Sequence, residues 1–226
     1  MKSETLPRKL AAILYADVAG YSRLTADDED ATHRILRLYL DSISATVDRH
    51  GGRVMHYAGD AVLAMFGAVL DALKCATEIQ RDLATRNAEL PSDRRVQFRI
   101  GVNLGDVIED RGDIYGDGVN VAARLEGLAE PGGICVSESV RAAVGKRPPL
   151  QFDDLGERVL KNIEHPVRAY RVRLGDASHA ATGHASLDGP TRADAREAGR
   201  RPGGALGRLR SLAAPFAASA GPAARA

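Results

Sequence analysis

Residues 9–18, KLAAILYADV, form a near-continuous apolar run closed by an aspartate, the pattern of a strand buried on both faces. Residues 29–49 change period: Ile35, Leu38, Ile43 and Val47 recur at helical spacing, and Gly51-Gly52 supplies the stop. RVMHY and AVLAMF then flank the turn AGD, which predicts a β-hairpin. A second helix is expected over 69–88, with Ala72, Cys75, Ile79 and Leu83 on its inner face. VQFRIGVNLGDVIED (96–110) predicts two strands broken near Gly105, VNVAARLEGLA (119–129) a helix, GICVS a strand and AYRVRL a closing strand. This order gives an α+β sandwich with a largely antiparallel sheet around a ferredoxin-like βαββαβ core.

Composition narrows the class. The chain has 226 residues, 44% of them apolar and 27% charged, as expected of an ordinary globular protein. A net charge of +1 gives no global pull towards nucleic acid or an anionic membrane. Cys75 and Cys135 lie far apart in apolar stretches and read as reduced core residues. The run LAAILYA (10–16) is too short to insert in a bilayer and does not follow the plan of a signal peptide, so the expected location is cytoplasmic. The patterning is confined to residues 1–174, the expected folded domain. From Gly175 the composition shifts to Ala, Gly, Pro and Arg, which predicts a disordered tail over 175–226. An alternative for that tail is a short basic amphipathic anchor around Leu206, Leu209 and Leu212 with Arg208 and Arg210.

Two carboxylates carry the first chemical signal. Asp17 ends the first strand and Asp60 sits in the hairpin turn, so adjacent pairing of these strands would bring both to one sheet edge. Asp60 alone is ordinary Gly-Asp turn chemistry. A strand with so apolar an approach ending in Asp17 argues for a partner, and two carboxylates without a His or Cys pair suit Mg²⁺ or Mn²⁺ over zinc. Gly20 in VAGYSRL permits a sharp turn into a helix whose first amides would face the same edge, a placement suited to polyphosphate. In GDIYGDGVNVAARLE, Asn120 and Arg124 share a helix face and could hold a ribose and neutralise charge on a phosphate; a solvated face is the plainer reading. Asp113 and Asp117 lack the companions and the closing Glu of an EF-hand.

Taken in order, ILYADVAGYSRL, GGRVMHYAGDAVLAMF, FRIGVNLGDV and DIYGDGVNVAARLE resemble the class III adenylate/guanylate cyclase catalytic domain, over about Leu10 to Leu174. The resemblance implies the class III cyclase fold and a head-to-tail homodimer with its sites at the interface. It implies two metal ions per site held by Asp17, Asp60 and the carbonyl of Val18, with the terminal phosphates on the amides of residues 18–22, including Ala19, Gly20, Tyr21 and Ser22. From the partner protomer, Asp113 would read the purine, Asn120 position the ribose and Arg124 stabilise the transition state, while Lys161 stands where the family has a phosphate-contacting lysine. The implied reaction converts ATP to 3′,5′-cyclic AMP and pyrophosphate, with the substrate's own 3′-hydroxyl as nucleophile.

His56 departs from the pattern, because adenylate cyclases of this family usually carry a lysine there. A protonated imidazole donates to adenine N1, whereas a neutral one presents either a donor or an acceptor. Asp113 favours adenine, since a carboxylate accepts from the 6-amino group and repels the 6-oxygen of guanine. His56 could equally be a surface strand residue that touches no ligand. Three functions follow for test: an adenylate cyclase, a guanylate cyclase, or a silent cyclase-like regulatory module. A diguanylate cyclase is disfavoured, because no GGDEF-like run occurs.

Overall fold

The computed structural model describes residues 7–21, 29–145 and 150–174; Ser22 and the C-terminal tail lie outside them. In chain order the elements are β1 (Arg8–Val18), α1 (Glu29–Arg49), β2 (Arg53–Ala58), β3 (Ala61–Phe66), α2 (Val69–Asn87) and β4 (Phe98–Asp110). They continue with β5 (Asp113–Tyr115), α3 (Asp117–Glu126), β6 (Ile134–Ser137), α4 (Glu138–Val144), β7 (Gln151–Arg158) and β8 (Val167–Arg173). The described strands form one sheet of order β2-β3-β1-β4-β6-β8-β7, with β5 on β4. The first four strands take the order of a ferredoxin-like unit, and all pairings are antiparallel except β4 with β6.

Alternation along the central strands divides the core in two. Ala12, Leu14, Ala16 and Val18 of β1 point to one face with Phe98, Ile100 and Val102 of β4, where α1, α2 and α4 cover them. Ala11 and Ile13 point to the other face with Leu63, Val107 and Ile114, and α3 covers these through Ala122. Burying each of the larger side chains contributes about 1.5–3 kcal/mol. Gln80 of α2 reaches through the first layer to donate to the carbonyls of Phe98 (3.0 Å) and Gly133 (2.8 Å).

The structure corrects the sequence reading in three places. Residues 98–110 are one strand, with no break at Gly105. A Cβ at Gly105 would stand 3.1 Å from the Cα of Gly118, so this glycine serves the approach of α3. In α1 the buried stripe is Leu36, Tyr39, Ile43 and Val47; Ile35 and Leu38 are exposed, because they fall on the side away from the sheet. The sequence reading also missed β5, α4 and β7.

Candidate active site

The β2–β3 hairpin sets Asp60 beside the end of β1. Pairing runs Ala16↔Val62, so the register carries Val18 level with Asp60 and places Asp17 one residue away. Gly59 makes the turn possible with a φ of 67°. Asp17 is half-buried, and burial first, then the charge of Asp60, raises its carboxyl above the ordinary value; a side-chain hydrogen bond with Asp60 adds to this. Two carboxylates held together against their own repulsion, with hard oxygen donors only, fit a divalent cation that takes its other ligands from phosphate and water. Among the described residues no group of three or more His, Cys, Asp or Glu gathers as a self-sufficient metal cage. The donor set on offer is therefore Asp17, Asp60 and a backbone carbonyl such as that of Val18.

The amides expected to hold phosphate begin at the end of β1. The Val18 amide donates to Asp17 Oδ1 at 2.9 Å, and the Ala19 amide donates to the Gln97 carbonyl at 2.8 Å. Both bonds lie within the chain. Gly20, with a φ of 72°, turns the chain.

A bulge aims His56. Val54 pairs with Ala64 but His56 pairs with Leu63, so Met55 is the extra residue and the alternation shifts by one. His56 is thereby turned to the face that α3 covers. Arg111 and Gly112, both at positive φ, close the β4–β5 hairpin, and β5 presents Asp113 to β2. His56 Nδ1 lies 2.8 Å from Asp113 Oδ1, and the same oxygen accepts from the Ile114 amide at 2.8 Å. Burial raises the Asp113 carboxyl, but His56, the Ile114 amide and Tyr115 together bring it below the ordinary value. Glu109 pairs with both Lys9 and Arg53, tying β4 to β1 and β2 beside this site.

Asn120 and Arg124 lie on the exposed side of α3, while Gly118, Ala122, Leu125 and Glu126 face the sheet. The helix rides very close to β4: a Cβ at Gly101 would stand 2.1 Å from the Ala122 carbonyl oxygen and 2.4 Å from the Glu126 amide nitrogen. Asn103 fixes the start of α3 by donating to the Gly118 carbonyl at 3.0 Å. Arg124 Nε donates to the carbonyl of Lys161 at 3.2 Å, which joins α3 to the turn following β7. Asn162 takes a φ of 62° in that turn, and Lys161 is exposed beside it.

The sequence reading missed Arg99 and Glu126, whose Nε and Oε1 approach to 2.9 Å beneath α3. Burial first, then the charges of Asp17 and Asp60 working against Arg99, pushes the Glu126 carboxyl up to about 7. The helical period that buries Ala122 and Leu125 also buries Glu126, and a carboxylate at a core position was the available signal. Tyr15, on the same face, is also raised by burial and then by Asp17. A cavity of about 490 Å³ lined by Gln80, Arg81, Leu83, Arg95, Gln97 and Leu174 lies on the α2 side and holds no carboxylate. Neither Asp17 nor Asp60 lines it.

The profile of the adenylate and guanylate cyclase catalytic domain matches residues 5–173. A putative adenylate cyclase 3 of Rhizobium meliloti is 44% identical over 171 residues, 75% of this chain and 29% of its own length. A pH-sensitive adenylate cyclase of Mycobacterium tuberculosis is 40% identical over 95 residues, 41% of this chain and 24% of its own. Among solved structures, an adenylate/guanylate cyclase/hydrolase from Silicibacter pomeroyi has a TM-score of 0.70 at 43% identity, covering 74% of this chain and 98% of that one. The chain spans less than a third of the length of these curated relatives. Among the described residues no helix is long and apolar enough to cross a membrane. In fold, in the order of its motifs and in the match over 5–173, the chain belongs to the class III adenylate and guanylate cyclase catalytic domain family.

Proposed function

We propose that this chain is an adenylate cyclase that converts ATP to 3′,5′-cyclic AMP and pyrophosphate in a site shared between two copies arranged head to tail. The observation that carries the reading is the division of the chemistry within one chain. Asp17 and Asp60 converge at a sheet edge, whereas Asn120 and Arg124 occupy the exposed side of a helix. A head-to-tail pair lets the exposed side of one α3 cover the carboxylate edge of the other chain.

Two Mg²⁺ or Mn²⁺ ions, held by Asp17, Asp60 and the Val18 carbonyl, supply Lewis-acid chemistry at the 3′-hydroxyl and the phosphates when bound. The turn at Gly20 receives the terminal phosphates, with Lys161 adding a positive charge. Asn120 orients the ribose so that its 3′-oxygen lies in line with the α-phosphorus. Arg124, held in place through the Lys161 carbonyl, neutralises charge that grows on the phosphate as the new P–O bond forms. The bond from the α-phosphorus to the bridging oxygen breaks, pyrophosphate leaves, and the hydroxyl proton passes to solvent. No protein nucleophile takes part.

Purine choice falls to His56 and Asp113. With Oδ1 engaged by His56 and Ile114, the second oxygen of Asp113 accepts from the adenine 6-amino group. Cationic His56 donates through Nε2 to adenine N1. The same pair supports a second reading: neutral His56, donating from Nδ1 to Asp113, offers Nε2 as an acceptor for guanine N1–H and so admits GTP. The test is a product assay on the purified chain with ATP and GTP supplied separately, each with Mg²⁺ and with Mn²⁺. Cyclic AMP that vanishes in Asp17→Ala supports the proposal. Cyclic GMP as the main product overturns the purine assignment, and no product from either nucleotide in a folded dimer moves the reading to a silent regulatory module.

A further inference from the structure

Arg99 and Glu126 form a charged pair behind the site that the reaction above does not use. Glu126 is only 7% exposed, and the near-contact of α3 with Gly101 sets its backbone directly against β4. Its Oε1 lies 2.9 Å from Arg99 Nε. Neither atom completes an aligned hydrogen bond, so the guanidinium is held by charge and keeps unspent donors. Arg99 is also the direct cross-strand partner of Asp17, which puts the two side chains on one face of the sheet. The charge of Arg99 acts to lower the Asp17 carboxyl while that of Asp60 raises it. One guanidinium thus stands between two carboxylates, one structural and one at the proposed metal edge.

We propose that Glu126 is a positioning residue that retains the Arg99 guanidinium and keeps it from pairing with Asp17, leaving Asp17 and Asp60 available to divalent cations. The proposal rests on the assignment of those two aspartates as metal carboxylates. A half-buried guanidinium deprived of its partner must find another, because an unpaired charge there is strongly disfavoured. The carboxylate facing it across the strands is Asp17. An Arg99–Asp17 ion pair would neutralise one of the two side chains that hold the cation, and cation and guanidinium would compete for it.

The experiment is a titration of the full chain with Mn²⁺ alone at about pH 8, above the raised Glu126 value, followed by electron paramagnetic resonance. It compares wild type, Glu126→Gln, Arg99→Met, the double variant and Asp60→Asn, with melting temperatures recorded for each. Glu126→Gln is expected to weaken Mn²⁺ binding about tenfold. Added to Arg99→Met, the same change is expected to alter affinity by less than about twofold, because the competing cation is gone. Glu126→Asp, which keeps the charge but shortens the reach, is expected to fall between, and serves if the glutamine variant does not fold. Wild-type affinity in Glu126→Gln or Glu126→Asp overturns the proposal. So does an equal loss in both backgrounds, which would mean that Glu126 acts through its own charge alone. Asp60→Asn separates the two readings. Unchanged Mn²⁺ binding there, or no saturable binding to wild type, overturns the metal assignment and this proposal with it. Loss of binding in Asp60→Asn beside a neutral Glu126→Gln overturns only the positioning role.

Discussion

His56 Nδ1 and Asp113 Oδ1 stand 2.8 Å apart, brought together from β2 and β5 across 57 positions of sequence. The ring can reach this carboxylate because the bulge at Met55 turns it to the α3 face. With Nδ1–H given to Asp113, the proton on Nε2 decides whether the outer edge donates or accepts. A fixed donor at this position is therefore expected to favour adenine, whose N1 only accepts. His56→Lys should raise the ratio of kcat/KM for ATP to that for GTP. Initial rates with each nucleotide on wild type and His56→Lys check this. An unchanged ATP-to-GTP ratio in His56→Lys would contradict the role given to His56.

Arg124 and Lys161 are expected to separate kinetically although they touch. Arg124 is held by the backbone carbonyl of Lys161, which Lys161→Ala leaves in place. That variant should raise KM for the nucleotide about tenfold with little change in kcat, as for a contact made equally in ground and transition states. Arg124→Ala should instead lower kcat by about 10²–10³, as for a charge needed when the phosphate gains charge. Steady-state kinetics on both variants checks the split.

The Asp17–Asp60 pair carries a stability signature. Burial and then the charge of Asp60 hold Asp17 above its ordinary value of 3.8, so the folded chain binds that proton more tightly than the unfolded chain. The ionised pair thus destabilises the metal-free fold increasingly as the pH climbs from about 3.8 through the raised value, and the penalty is complete above it. At neutral pH without metal, Asp17→Asn is expected to melt higher than wild type, by about 2–4 °C for each ~1 kcal/mol of repulsion relieved. Mn²⁺ should raise the melting temperature of wild type and leave that of Asp17→Asn unmoved. Thermal melts with and without the cation measure both effects.

Much of this architecture was legible because its signals are local. The apolar run ending at Asp17, the hairpin around Gly59 and the α2 stripe of Ala72, Cys75, Ile79 and Leu83 each announce their element by period. Strand β7, QFDDLGER, did not: Asp153 and Asp154 pair with Arg173 and Arg168 of β8, and the register shift near Gly156 breaks its alternation. Three-residue β5 and seven-residue α4 are too short to show a period. In α1, Ile35 and Leu38 repeat at helical spacing as regularly as Leu36 and Tyr39, so periodicity alone could not say which stripe meets the sheet. The site followed the same rule. The nearness of Asp17 and Asp60 was readable from a strand end and a hairpin turn, whereas the pairing of His56 with Asp113 depends on a one-residue bulge, and that of Arg99 with Glu126 on a glycine groove.

That groove gives a further expectation. At Gly101 an added methyl would meet the backbone of α3 at 2.1 Å and 2.4 Å, and no flexible side chain can yield there. Gly101→Ala should destabilise the chain by about 1–3 kcal/mol and displace the helix that carries Asn120 and Arg124. Urea unfolding gives the first quantity, and the loss of kcat in protein that remains folded gives the second. A variant with unchanged stability would mean that α3 stands further from β4 than described.

The sharing of one site by two chains is tested most directly by mixing Asp60→Ala and Arg124→Ala protomers carrying different tags and isolating the mixed dimer. Each variant alone should remain near background, because every site in it lacks either its metal carboxylate or its arginine. In the mixed dimer one of the two sites recovers Asp60 from one chain and Arg124 from the other, so cyclic AMP formation should return to about half the wild-type rate per dimer. Purified mixed dimers that stay at background would contradict the account.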